Sequence, residues 1–161
     1  MRPALSVSER IAVSARAHPL RSIDQLHRLF RVLQALAQAT GETAHLSILI
    51  GGALRTLAHA YATAHATKVT MEDAEVLPFH ATSSGMAVLA FQPEAFQAGV
   101  LAAPLQRLTA VTETDVAALR ARLAQVQASG IAESAGGYES DVSSMAVPLF
   151  DARGQCCGGL S

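Results

Sequence analysis

Leu77-Pro78-Phe79-His80-Ala81-Thr82-Ser83-Ser84-Gly85-Met86-Ala87-Val88-Leu89-Ala90-Phe91 is the run on which the reading of this chain turns. It sets hydroxyls and a glycine where a short apolar helix begins. The first N–H groups of a helix have no internal carbonyl to bond and lie at the positive end of its dipole, so small residues there let a carboxylate or phosphate approach. The same serines have a plainer use, since serine at a helix start commonly caps the helix itself. No complete catalytic constellation accompanies the run, which therefore reads first as a place to hold a small molecule.

Upstream, the elements alternate in kind. Ser22 with Gln25 forms a capping box, Leu26, Leu29, Phe30, Leu33, Leu36 and Ala37 form an apolar stripe, and Gly41 ends the helix. The period then shortens to two: Ala44, Leu46, Ile48 and Ile50 alternate with His45, Ser47 and Leu49, which predicts a strand buried mainly on one face. Gly51-Gly52 supplies a tight hairpin turn and Ala53 to Tyr61 the return strand. A short strand is expected around Lys68 to Met71, followed by the acidic loop Glu72-Asp73-Ala74-Glu75, a solvated rim together with Lys68. A further helix is allowed from Pro3 to Ala17, closed by His18-Pro19.

Downstream, Pro93 suits the first turn of a helix running toward Leu101. Asp115 or Thr114 caps the next one, with Leu119, Leu123 and Val126 facing inward, Arg120 and Arg122 outward, and Gly130 as its stop. Strands follow around Ile131 to Ala135, Ser144 to Phe150 and Gln155 to Leu160, broken at Gly136-Gly137 and turned at Asp151-Ala152-Arg153-Gly154. Helices, hairpin, helices and strands in that order fit an α+β layer fold with an antiparallel sheet of about five or six strands.

Composition narrows the function classes. The chain has 161 residues, of which 50% are hydrophobic and 16% charged, enough for one compact domain. Lys and Arg number 12 against 13 Asp and Glu, for a formal charge of −1, without the basic excess that gripping a phosphate backbone requires. No apolar run is long enough to span a bilayer and no signal-peptide core follows Met1, so a cytoplasmic location and no membrane partner are expected.

Candidate reactive groups are few. Cys156 and Cys157 are adjacent, so on a strand they point to opposite faces and neither staple the fold nor share a metal readily. They read as small strand residues, or alternatively as the thiols of a small redox enzyme. His80 lacks a recognisable nucleophile or acid partner and reads as structural. His45, His59 and His65 match no zinc spacing. No catalytic residue, metal or cofactor is expected.

Three segments together resemble the effector-binding half of IclR-type bacterial transcription regulators. They are Thr40-Gly41-Glu42-Thr43-Ala44-His45-Leu46; the run from Leu77 through Gly85 to Phe91; and Gly130-Ile131-Ala132-Glu133 continuing through Ser144-Met145-Ala146-Val147-Pro148-Leu149-Phe150-Asp151 to Gly154. The likeness extends over nearly the whole chain. It implies a GAF-like domain, a curved antiparallel sheet with helices packed on it and a pocket for a small effector. It also implies homodimer or homotetramer contacts, and a separate winged helix-turn-helix that alone reads DNA. On that resemblance residues 1–21 are a linker helix leading into an effector-binding domain at 22–161, with the DNA-binding half and a terminal helix absent.

Carried over position by position, the implied effector residues are Ser83, Ser84 and Gly85 at the helix start and Val69 and Met71 on the strand before it. Ser134, Val142, Ser144 and Ser161 come from the C-terminal strands. The implied effector is a small metabolite, an organic acid whose carboxylate rests on the N–H groups of Ser84 and Gly85. Two departures stand out. Met86 replaces a frequent lysine, which should alter the surface or helix contacts more than the pocket, and Ser134 replaces a frequent acid, which removes a charge able to orient a ligand. A purely structural oligomerisation module remains the bland alternative.

Overall fold

The computed structural model describes residues 23–61 and 76–161, with side chains from 27 onward. The Pro3–Ala17 helix, the Ser22 capping box, the strand at 68–71 with its acidic loop, and the proposed boundary at 21–22 lie outside these residues. Within them the order is α1 (Ile23–Thr40), β1 (Ala44–Ile50), β2 (Ala53–Ala60), β3 (Val76–Leu77), α2 (Ser83–Ala90), α3 (Glu94–Ala102), α4 (Val116–Ser129), β4 (Ala132–Ala135), β5 (Ser143–Phe150) and β6 (Cys156–Leu160). The strands form one six-stranded sheet in the order β3-β2-β1-β6-β5-β4. Every pairing is antiparallel. The fold class is α+β, and no helix among the described residues is long and apolar enough to cross a membrane.

Local chemistry accounts for the element ends. Gly41 takes φ 76° and its N–H bonds the Ala37 carbonyl at 3.0 Å, closing α1 with a conformation that glycine adopts without strain. Asp115 caps α4 by accepting from the Ala118 N–H at 2.8 Å, and Gly130 closes it at φ 74°. Pro93 sits at the N-cap of α3, one position before the first turn in which the sequence placed it. The two-residue β3 was not anticipated. Its pairing with Leu54 and Arg55 on β2 puts Val76-Leu77 at the sheet edge, immediately before the α2 motif.

β1 departs from the expectation of one buried face. Residues 44–48 are all buried. Ala44, Leu46 and Ile48 pack with Leu33 and Ala37 of α1, while His45 and Ser47, at 7% and 0% exposure, line a cavity on the other side. The alternation of side chains is as predicted. The second face is polar yet covered, so polarity there does not mean solvent.

α2 is buried along all eight of its residues and packs with β4, β5, β6 and α4. A helix apolar on all sides is stable only when enclosed in this way. Met86, only 1% exposed, belongs to the main apolar cluster with Leu89, Leu119 and Leu123, so it lies in the core, away from the surface and outside the cavity lining.

Candidate functional site

α2 begins at Thr82, whose backbone is extended and whose Oγ1 accepts from the Gly85 N–H at 2.9 Å while donating to the Pro78 carbonyl at 3.0 Å. The Gly85 N–H is therefore occupied, and Gly85 does not line the cavity. The need for glycine has another cause. A Cβ at this position would lie 2.6 Å from the Cα and carbonyl oxygen of Phe79, so the turn at 78–81 can press on the helix only when residue 85 has no side chain. The expectation that Gly85 holds an anion is thus corrected: its N–H serves the cap, and its missing side chain serves packing.

Ahead of Gly85, Thr82, Ser83 and Ser84 face a cavity of about 660 Å³. That size falls within the roughly 300–1,000 Å³ usual for small-molecule sites. Ser83 Oγ and Ser144 Oγ of β5 lie 2.8 Å apart. Ser134 Oγ donates to the Ala81 carbonyl at 3.0 Å, joining β4 to the turn before α2. Ser161 exchanges backbone hydrogen bonds with His45, at 2.7 and 3.0 Å, so the residue after β6 is fixed alongside β1.

The structure accordingly brings Ser83, Ser84, Ser134, Val142, Ser144 and Ser161 together around one cavity. Val69 and Met71 lie outside the described residues. Cavity-lining residues that the sequence reading missed include Ser47, His45 and Tyr138. The visible signal for the first two was their place on the second face of β1.

A support behind the cavity was equally hidden. Thr109 Oγ1 donates to the Gly136 carbonyl at 2.6 Å and Thr112 Oγ1 to the Gly137 carbonyl at 2.7 Å. These bonds hold the glycine pair against the site. A Cβ on Gly137 would approach the Ala81 carbonyl and Ser134 Oγ at 2.8 Å, so the loop lies directly against the start of the α2 motif.

Charge around the cavity is one-sided. Exposed Glu42, Glu133 and Glu139 stand among its lining residues, and among the described residues that lining contains no Lys or Arg. Among the described residues, a negative group inside would meet the helix start, hydroxyls and the His45 imidazole. The N–H groups of Ser83 and Ser84 head α2, where no intrahelical carbonyl exists for them.

Ser47 adds an unusual feature. Its side chain is fully buried and lines the cavity, and its Oγ has no hydrogen-bond partner among the described residues. Thr56, opposite it on β2, is 4% exposed and has an unpartnered Oγ1 as well. Buried hydroxyls are rarely left so, because desolvation without a bond costs about 1–3 kcal/mol.

The other candidates fall into place as structure. His80 is buried with Nε2 2.9 Å from the Gln106 carbonyl. Among the described residues no group of His, Cys, Asp or Glu is placed to hold a metal ion. Cys156 and Cys157 border a second cavity of about 560 Å³ with Leu49, Gln92 and Asp151. Burial pushes the Cys156 thiol up to about 11. Cys157 is also raised, by burial first and then by the negative charge of Asp151. Both are protonated thiols near neutral pH, unlike an activated redox pair. The accessible main cavity likewise argues against a purely structural module.

Comparison with known proteins agrees with the fold and with the order of these elements. The family described as bacterial transcriptional regulator IclR C-terminal matches residues 17–161. The HTH-type transcriptional regulator BhcR of Paracoccus denitrificans is 32% identical over 143 residues, which is 88% of this chain and 51% of that protein. The chain thus spans about half the length of that relative. Among solved structures, a regulator of the IclR type from a Silicibacter species superposes with a TM-score of 0.85 at 48% identity, covering 92% of this chain and 57% of that one. An IclR homologue from Microbacterium hydrocarbonoxydans, solved in complex with 4-hydroxybenzoate, superposes with a TM-score of 0.72 at 27% identity, covering 80% of this chain and 53% of that one.

Proposed function

This chain belongs to the IclR family of bacterial transcriptional regulators, matching its C-terminal effector-binding domain, and on that premise we propose that the cavity beside α2 is where it senses a small organic acid. The observation that carries the reading is the cavity of about 660 Å³ with the start of α2 and the hydroxyls of Ser83, Ser84, Ser134, Ser144 and Ser161 in its wall. A carboxylate would meet the N–H groups of Ser83 and Ser84 at the positive end of the helix, with serine hydroxyls completing its hydrogen bonds. Val142 supplies apolar contact. Gly85 is left out of the donor set because Thr82 already occupies its N–H.

Occupation of the site modulates operator binding by a winged helix-turn-helix domain, in a cytoplasmic homodimer or homotetramer. For that, the effector must bind two arrangements of the regulator with different affinity. A bound aromatic acid in a family member supports the choice of an acid. The acidic residues at the rim favour one of low charge, since each added negative charge meets Glu42, Glu133 and Glu139 without a lining cation among the described residues.

Thermal denaturation with benzoate, 4-hydroxybenzoate and short aliphatic acids tests the reading. A ligand at a hundred times its Kd stabilises by about 2.7 kcal/mol, which corresponds to roughly 5–11 °C in melting temperature for a domain of this size. Val142→Trp fills the cavity from its loop side and should abolish the shift. Absence of a shift with every acid, or an undiminished shift in Val142→Trp, refutes it.

A further inference from the structure

We propose that Ser47 is the specificity-determining residue of this cavity, its hydroxyl bonding a second polar group of the effector while the acid group occupies the start of α2. The inference rests on the acid-binding reading above and adds what the far side of the molecule must carry. Ser47 stands in the middle of β1, between Leu46 and Ile48, whose side chains enter the apolar cluster with α1. A strand in this setting favours Val or Ile on its covered second face. It has instead a hydroxyl, fully buried at the cavity wall and without a protein partner among the described residues, opposite the equally unpartnered hydroxyl of Thr56, which does not line the cavity. Desolvating a hydroxyl with nothing to bond is unfavourable, and a ligand atom in the cavity removes that penalty.

The surroundings give the contact its selectivity. Ser47 pairs with Gly159 of β6 in the sheet. Gly159 has no side chain to reach across, and a Cβ there would already come to 3.5 Å from the Ser84 carbonyl oxygen. Between β1 and the head of α2 the polar side chains lining the cavity are His45 and Ser47 on one wall and Thr82, Ser83 and Ser84 on the other. The Thr82 hydroxyl is engaged by the helix cap, and Ser47 has the one β1 hydroxyl there. A simple acid satisfies only the α2 wall. An acid bearing a hydroxyl or carbonyl group satisfies both, and a site with a buried hydroxyl discriminates against the analogue that leaves it unbonded.

Isothermal titration of benzoate and its 2-, 3- and 4-hydroxy derivatives into wild type, Ser47→Ala and Ser47→Thr tests this, the three isomers scanning the position of the second group. In wild type at least one isomer should bind about 3- to 10-fold more tightly than benzoate, the range of one net hydrogen bond. Ser47→Ala should reduce that ratio to near one, and its ligand-free melting temperature should equal or exceed that of wild type. Ser47→Thr should restore the preference. A preference that survives in Ser47→Ala, or its absence from wild type, overturns the role of Ser47 while leaving acid binding intact. Failure of all four acids to bind wild type overturns the role of Ser47, and together with the absence of any shift from the short aliphatic acids it overturns acid binding as well.

Discussion

Replacing Gly85 by alanine adds one methyl group at the most crowded point of the site. The new Cβ would lie 2.6 Å from the Phe79 Cα, 2.6 Å from the Phe79 carbonyl oxygen and 2.6 Å from Thr82 Oγ1. Two of these are backbone atoms that cannot rotate away, and the third is the helix cap. Overpacking a tight interior costs about 1–3 kcal/mol. Disturbing the Thr82 cap adds about 1 kcal/mol. The better helix propensity of alanine returns up to about 1 kcal/mol. The net loss is about 1–3 kcal/mol, or roughly 2–12 °C in melting temperature for a domain of this length.

Gly99 supplies the control. It is an exposed position inside α3 where an added Cβ meets nothing within 4 Å, so Gly99→Ala should stabilise by about 0.4–1 kcal/mol. Calorimetric melting of both variants, with urea titration to confirm two-state unfolding, reads the two signs directly. A Gly85→Ala protein melting within 1 °C of wild type would refute the close-approach account of this glycine. The same substitution in two helices then has opposite effects for reasons visible only in the packing.

The hydroxyl pair Ser83–Ser144, 2.8 Å apart, joins α2 to β5 in the wall of the cavity. A double-mutant cycle to alanine should return a coupling of about 0.5–1.5 kcal/mol in thermal or urea unfolding, and additive losses would mean the contact contributes nothing. For the thiols, the folded protein favours the protonated form of Cys156, whose pKa is raised from 9.0 to about 11 by burial. The associated stability is present below pH 9 and is lost as pH rises toward about 11. Iodoacetamide at pH 7.5 should therefore label the native protein far more slowly than the urea-unfolded chain, and equal rates would restore a reactive-thiol reading.

Helix and hairpin punctuation was legible because it is local. Gly51-Gly52, Asp115 and Gly130 each act on neighbours within a few residues, and the boundaries of β1, β2 and α4 follow from them. The start of α2 was placed correctly but its glycine was explained wrongly, since the contact with Phe79 depends on how the turn at 78–81 folds back. The inward serines of β4 and β5 were available only through family resemblance, because strand periodicity does not say which polar face is covered. Ser47 shows the same limit in sharper form. Polar residues alternating with apolar ones usually face water, and here a second layer, built from residues more than thirty positions away, lies over them. The threonine tethers from 109 and 112 to the glycine loop at 136–137 are equally nonlocal.

β1 also has a mechanical consequence. In its middle it stands between the cavity, against Ser47, and the α1 side chains Leu33 and Ala37, against Leu46 and Ile48; at its start Ala44, with Leu36 and Thr40 of α1, borders the cavity as well. On a sheet with one wet face, a displacement of the strand is absorbed by water. This strand is backed by a close-packed interior of low compressibility, so pressure on its cavity side is delivered to α1 with little loss. The helix from Ile23 to Thr40 thus meets the chamber twice, through β1 and directly at Leu36 and Thr40, so a full chamber would press on it by both routes.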